Sequence, residues 1–104
     1  MDVMPGVRAQ RREVLMNAFI KDGFVIGDGL KYGVDLLLYT DDPSKVHSRY
    51  GVLIDDGYSM QDIIGIQRTC ASANKEMVLV FFAEDGFEMV LVERMQLKNV
   101  EEIK

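Results

Sequence analysis

The segment Val34-Asp35-Leu36-Leu37-Leu38-Tyr39 constrains the chain more than any other. A strand with one wet face alternates apolar and polar side chains, and this run has almost no polar positions. It therefore predicts a central strand covered on both sides. The longest unbroken apolar run, Met77 to Ala83, falls far short of the roughly 20 residues that a membrane-spanning helix needs. A soluble protein without a membrane partner is expected.

The rest of the chain supplies the cover. Pro5 to Asp22 reads as a helix, with proline in its first turn and Val14, Leu15, Ala18 and Phe19 on one face. Lys21-Asp22-Gly23 ends it. Phe24 to Gly27 reads as a short strand and Asp28-Gly29 as a turn. After the central strand, Asp41-Asp42-Pro43 breaks regular structure, because proline has no amide donor. Arg49 to Asp55 is the next strand. Ser59 to Asn74 reads as a second helix, with Ser59 and Asp62 at capping-box spacing and Met60, Ile63, Ile64, Cys70 and Ala71 as its buried stripe. Glu76 to Phe82 and Phe87 to Val92 flank Glu84-Asp85-Gly86, a hairpin signal. A last strand is expected from Leu97 to Ile103. This order predicts an α/β (α+β) domain in which helices flank a small mixed sheet. With 104 residues, 48% of them apolar, one domain spanning 1–104 is expected, and disorder is excluded.

Composition also limits the chemistry. A single cysteine, Cys70, closes no internal disulfide, which fits a reducing, intracellular setting. One histidine and one cysteine do not make a four-ligand zinc site; no cofactor is expected. The count of 12 basic against 17 acidic residues, net -5, argues at first sight against a nucleic-acid partner.

Three polar side chains stand where packing does not require them: Tyr39 at the end of the buried strand, His47 in the following loop, and Lys75 between the second helix and the strand after it. Taken singly, each has an ordinary explanation as half-buried packing, an exposed loop histidine or a solvated charge. Together they form a set suited to RNA cleavage by its own 2'-hydroxyl. That reaction needs a base, an acid and a cation for the charge on the transition state. A tyrosine base must have its ordinary pKa of about 10 lowered, and a nearby ammonium such as Lys75 acts in that direction. Histidine, ordinarily near 6.5, suits the acid.

Gly29-Leu30-Lys31-Tyr32-Gly33-Val34-Asp35-Leu36-Leu37-Leu38-Tyr39, with Asp42-Pro43, His47-Ser48, Tyr50, Arg68 and Asn74-Lys75-Glu76-Met77-Val78-Leu79-Val80, resembles the catalytic-domain signature of the tRNA-splicing endonucleases over about residues 14–94. The resemblance implies a restriction-endonuclease-like domain that cleaves precursor tRNA at intron boundaries without metal, leaving a 2',3'-cyclic phosphate and a 5'-hydroxyl. It implies Tyr39 as base, His47 as acid and Lys75 as transition-state cation. It also implies Arg68 as an arginine that stacks on a flipped-out base, a role that suits a planar guanidinium. Glu84 and Asp85 would form an acidic loop that docks on another subunit, although Glu-Asp-Gly is also ordinary turn chemistry. Segment 95–104 would supply a dimerisation strand. Arg94, donated across an interface, is a candidate for the second stacking arginine, but its register matches poorly, and that identity is left open.

Many members of the family carry a separate amino-terminal domain. Starting at Met1, this chain reads as a minimal subunit or as a trimmed one. The Gly-Leu-Lys-Tyr-Gly run is closer to the eukaryotic subunit that cuts the 5' splice site, though archaeal homo-oligomers share much of it. The nucleus is implied for a eukaryotic host and the cytoplasm for an archaeal one. Two alternatives compete with the nuclease reading. One is a non-catalytic scaffold subunit of the same complex, which would ordinarily lack one of the three residues. The other is a metal-dependent nuclease, which wants a carboxylate two residues before Lys75, where this chain has Ala73, with Asp35 as a lone candidate ligand. The few basic residues available to RNA, namely Lys75, Arg68, Arg49 and Lys45, predict that copies of the chain or sister subunits complete the binding surface.

Overall fold

Helix α1 (Pro5–Lys21) is held to the protein by a narrow contact, with Leu15 0% and Phe19 2% exposed. A computed structural model describes residues 5–94 and 96–103. The end of α1 follows from its sequence. Gly23 takes φ 97°, its N–H donates to the Ile20 carbonyl, and the Phe24 N–H donates to the Phe19 carbonyl at 3.0 Å. This is the Schellman pattern, completed by an edge-to-face contact of Phe24 on Phe19 at 6.0 Å. Val14, expected on the buried face, is 50% exposed. A helix that touches the sheet along one line buries only the Leu15, Phe19 row, and a neighbour turned by 100° falls outside it.

The strands are β1 (Val25–Asp28), β2 (Leu36–Tyr39), β3 (Tyr50–Ile54), β4 (Glu76–Ala83), β5 (Gly86–Glu93) and β6 (Gln96–Val100). They form one six-stranded sheet in chain order, and only β3 and β4 run parallel. Helix α2 (Met60–Ser72) makes the crossover that a parallel pair requires. The mixed α+β architecture is the one expected from the sequence, with small shifts at element ends. Val34 and Asp35 precede β2 rather than opening it, and Leu30–Tyr32 is a 3-10 turn.

Side chains alternate between two cores. Leu36, Leu38, Tyr50, Val52, Ile54, Val78 and Val80 face α1, whereas Leu37, Leu53, Met77, Leu79, Val90 and Val92 face α2. The central strand is thus covered on both sides, and each fully buried Leu or Val contributes about 1.5–3 kcal/mol. At the far edge β6 stops at Val100, and Ile103, expected in the strand, turns back into the α1 core with 7% exposure. Of the expected terminal segment 95–104, Met95 and Lys104 lie outside the described residues.

The capping box of α2 forms with aspartate in place of the preferred glutamate. Ser59 Oγ accepts the Asp62 N–H at 3.1 Å, and Asp62 Oδ2 accepts the Ser59 N–H at 3.3 Å. The buried stripe is narrower than expected. Ile63 and Cys70 are buried, whereas Met60 is 59% and Ile64 43% exposed and Ala71 faces solvent. Gly51 explains this rotation: a Cβ there would stand 3.1 Å from Cys70 Sγ, so the glycine leaves a hollow in the sheet into which Cys70 sinks. Burial pushes the Cys70 thiol pKa up, against a smaller opposing effect of the Lys75 charge. Among the described residues no helix is long and apolar enough to cross a membrane.

Candidate active site

Topology brings the three singled-out residues to one end of the sheet. Tyr39 is the last residue of β2, His47 lies three residues before β3, and Lys75 immediately precedes β4. Because β2 is antiparallel to β3 and β3 is parallel to β4, the end of β2 and the starts of β3 and β4 lie side by side. Residue parity then places Tyr39 and Lys75 on the α2 face, in line with Leu37 and Met77.

Tyr39 is half-buried, and its ring lies across Gly27 of β1. A Cβ on Gly27 would approach Tyr39 Cε1 to 2.7 Å, so only glycine leaves the ring that seat. The loop from Thr40 to Arg49 is organised by Asp42, whose Oδ1 accepts both the Ser44 N–H and the Ser44 hydroxyl at 2.9 Å. Those two bonds hold the Asp42 carboxyl pKa below the ordinary aspartate range. The Arg49 N–H bonds the Leu38 carbonyl at 2.8 Å, which returns the loop beside Tyr39. Ser48 is buried at 4%, while His47 is exposed, and among the described residues none hydrogen-bonds its ring. The Asp42-Pro43 turn thus presents His47 to solvent at the edge of the site.

Lys75 is the buried member, 8% exposed. Its position comes from the end of α2, a second Schellman-type cap with asparagine in place of glycine. Asn74 takes φ 58° and donates its N–H to the Ala71 carbonyl, and the Lys75 N–H donates to the Cys70 carbonyl at 2.8 Å. The Glu76 N–H then bonds the Arg49 carbonyl and starts β4. The Lys75 ammonium donates to the Ser48 carbonyl at 3.5 Å and lies 4.9 Å from the centre of the Tyr32 ring. A cleft of about 230 Å³ opens beside Lys75, between Gln67 and Ala71 of α2 and Glu93 and Arg94 at the β5–β6 turn. A larger cavity of about 610 Å³ lies under α1 against Phe87 and Met89, on the opposite face of the sheet.

The remaining candidates are placed differently. Arg68 is exposed on α2, two turns before Lys75, and the structure does not join it to the three-residue set. Glu84 and Asp85 form the exposed β4–β5 turn, at the opposite end of β4 from Lys75 and roughly 26 Å away along the strand. Asp35 is tied into the fold: Oδ1 accepts from Arg8 and Oδ2 from the Ile54 N–H, each at 2.8 Å. Arg8 also bridges to Asp56, and its own pKa rises because Tyr58 and Asp35 outweigh the lowering effect of burial. Ala73, where a metal-dependent nuclease would carry a carboxylate, caps α2. Sequence reasoning assigned no role to Tyr32, Gly27 or Asn74. The signal for Asn74 was present, an asparagine directly after a helix.

Residues 10–89 match the family model described as tRNA intron endonuclease, catalytic C-terminal domain. The chain belongs to this family. Among its curated relatives are a chicken tRNA-splicing endonuclease subunit Sen2, 38% identical over 61% of this chain and 16% of its own length, and the mouse Sen2 subunit, 32% identical over 79% and 22%. A tRNA-splicing endonuclease of the archaeon Methanopyrus kandleri is 33% identical over 72% of this chain and 42% of its own length. The chain therefore corresponds to less than half of each of these family members. Within the family domain, the Gly29-to-Tyr39 signature builds the turn and strand beside Lys75, and Asn74-Lys75 closes α2.

Proposed function

We propose that the chain is the catalytic domain of a metal-independent endoribonuclease that cleaves precursor tRNA at intron–exon boundaries. The observation that supports this best is the meeting of Tyr39, His47 and Lys75 at one sheet end, with the ammonium buried and the imidazole exposed. In the reaction, Tyr39 as base takes the proton from the 2'-hydroxyl, whose oxygen attacks the adjacent phosphorus. The P–O5' bond breaks as His47 donates a proton to the departing 5'-oxygen. A 2',3'-cyclic phosphate and a 5'-hydroxyl remain, and Lys75 faces the charge that accumulates on the non-bridging oxygens. Arg68, exposed on α2, stacks on an extruded base of the substrate. The domain works in an assembly of like or sister subunits, with Glu84-Asp85 and β6 as docking elements. Its compartment follows the host, nuclear in a eukaryote and cytoplasmic in an archaeon.

The test is incubation of the assembled protein with an intron-containing precursor tRNA in EDTA, followed by analysis of the ends formed. Cutting at both junction types or at one, with cyclic phosphate ends, is expected. Folded, assembled protein that leaves the RNA intact would sink the proposal. His47→Ala should abolish cutting and leave RNA affinity within about a few fold, since a single acid typically contributes 10² to 10⁴ in rate. A parallel loss of binding would make His47 a structural residue, and a scaffold role would then become the better reading.

A further inference from the structure

The signature run Gly29-Leu30-Lys31-Tyr32-Gly33 contains none of the three reacting residues, yet its geometry is tightly specified. Asp28 Oδ1 accepts the Leu30 N–H at 3.0 Å and starts the 3-10 turn. The Tyr32 N–H bonds the Gly29 carbonyl, and the Gly33 N–H bonds the Leu30 carbonyl. Gly29 admits no side chain, since a Cβ there would stand 2.5 Å from Val34 Cγ2 and 2.8 Å from the Val34 carbonyl oxygen. Gly33 takes φ 77°, the left-handed region that favours glycine. Two glycines and a capping aspartate thus fix one turn, and the half-buried side chain that it directs into the α2 core is Tyr32.

We propose that Tyr32 is a positioning residue for Lys75, its ring face holding the ammonium in place for the scissile phosphate; this rests on the reading of Lys75 as the transition-state cation. Lys75 has four flexible methylenes and, among the described residues, its ammonium makes a single long hydrogen bond, 3.5 Å to the Ser48 carbonyl, which by itself defines its place poorly. The aromatic face at 4.9 Å supplies the second constraint. A carboxylate in that place would neutralise the charge. A ring restrains the ammonium and leaves it available to an incoming anion. Lys31 approaches the same ring at 5.8 Å but is exposed, so water screens its share.

The experiment compares Tyr32→Leu and Tyr32→Phe with the unaltered protein in its assembled, RNA-cutting form, alongside Lys75→Ala. Single-turnover cleavage should fall about 5- to 30-fold in Tyr32→Leu, the size of a partly desolvated ammonium–ring contact, with the half-saturating concentration little changed. Tyr32→Phe, which keeps the ring face, should restore the rate. The Lys75 ε-methylene protons, followed by lysine-selective NMR, should be displaced upfield by the ring current in the unaltered protein and in Tyr32→Phe, and should return to ordinary lysine positions in Tyr32→Leu. A folded Tyr32→Leu that cuts at full rate, or a Tyr32→Phe as slow as Tyr32→Leu, overturns the proposal. If Lys75→Ala cuts normally, the functional reading of Lys75 fails instead. The NMR comparison then still decides the contact, and unshifted Lys75 protons refute it.

Discussion

Gly27→Ala is a one-carbon change that should separate catalysis from stability. The added Cβ would stand 2.7 Å from Tyr39 Cε1 and 3.5 Å from its hydroxyl oxygen. Carbon atoms in contact ordinarily sit about 3.5–4.0 Å apart, so the ring must recede by about 1 Å. The obstructed atom belongs to the outer part of a half-buried side chain, so the ring gives way more readily than the backbone. Replacing glycine by alanine in a strand gains about 0.5–1 kcal/mol of conformational entropy, which offsets the strain of moving the ring. The urea midpoint should therefore change little. The phenol oxygen, however, moves by about as much as the ring, and a misplacement of this size can cost about 10² in rate, or roughly 2.7 kcal/mol in the barrier. Single-turnover cleavage of precursor tRNA should slow about 100-fold with unchanged binding. The double variant Gly27→Ala, Tyr39→Phe should be no slower than Tyr39→Phe, because both changes act on the same hydroxyl. A folded Gly27→Ala protein cutting at the normal rate, or two effects that multiply, would refute the placement of Tyr39 as the base.

Gly65 lies inside α2 with open space where its side chain would be, so Gly65→Ala should stabilise the fold by about 1 kcal/mol, read as a higher urea midpoint; an unchanged midpoint would mean that α2 is not continuous there. Ser59→Ala removes one arm of the capping box and should cost about 1 kcal/mol in the same assay. Asp35→Ala leaves the Ile54 N–H without its acceptor and Arg8 with Asp56 as its remaining carboxylate, and should cost about 2–4 kcal/mol, whereas Asp35→Asn, which keeps the acceptor for Ile54, should cost less. Equal, small losses would show the Arg8 bridge to be a surface contact of little weight. Reversing Glu84 and Asp85 to lysine should leave the urea midpoint almost unchanged and lower the mass by light scattering; an unchanged mass would return both residues to turn formation.

The sheet was legible because its apolar runs are long and punctuated. The apolar runs Val34 to Tyr39 and Met77 to Ala83 mark β2 and β4, and Glu84-Asp85-Gly86 marks the hairpin between β4 and β5. Helix rotation was harder to read. Met60, Ile63, Ile64, Cys70 and Ala71 span more of the helix than one contact can bury, and the choice among them is made by the hollow at Gly51, a tertiary feature without a local signal. The three candidate residues were visible as polar side chains at or near strand ends, but what supports them was not. Gly27 reads as a weak strand residue until the Tyr39 ring is seen to lie across it. Tyr32 reads as part of a turn until Lys75 arrives from more than forty residues away.

The charge balance gains meaning once the cations are sorted by what holds them. Arg8 is tied to Asp35 and Asp56, and Arg49 leans toward Glu76 at 3.4 Å, so part of the basic complement is already committed within the chain. Lys75 differs: among the described residues no carboxylate pairs with it, and a carbonyl and a ring face hold it instead. Such groups restrain an ammonium without cancelling it, so its field remains directed at whatever anion enters the site. A net charge of -5 opposes a polyanion at long range, and the few cations not committed to carboxylates compensate only at short range. With about three to five phosphate contacts available, the salt dependence of RNA binding by the lone chain should be shallow and its affinity low. Tight binding then has to come from surfaces outside this chain. In the proposed assembly, Lys75 would act on one phosphate while other subunits hold the rest of the RNA.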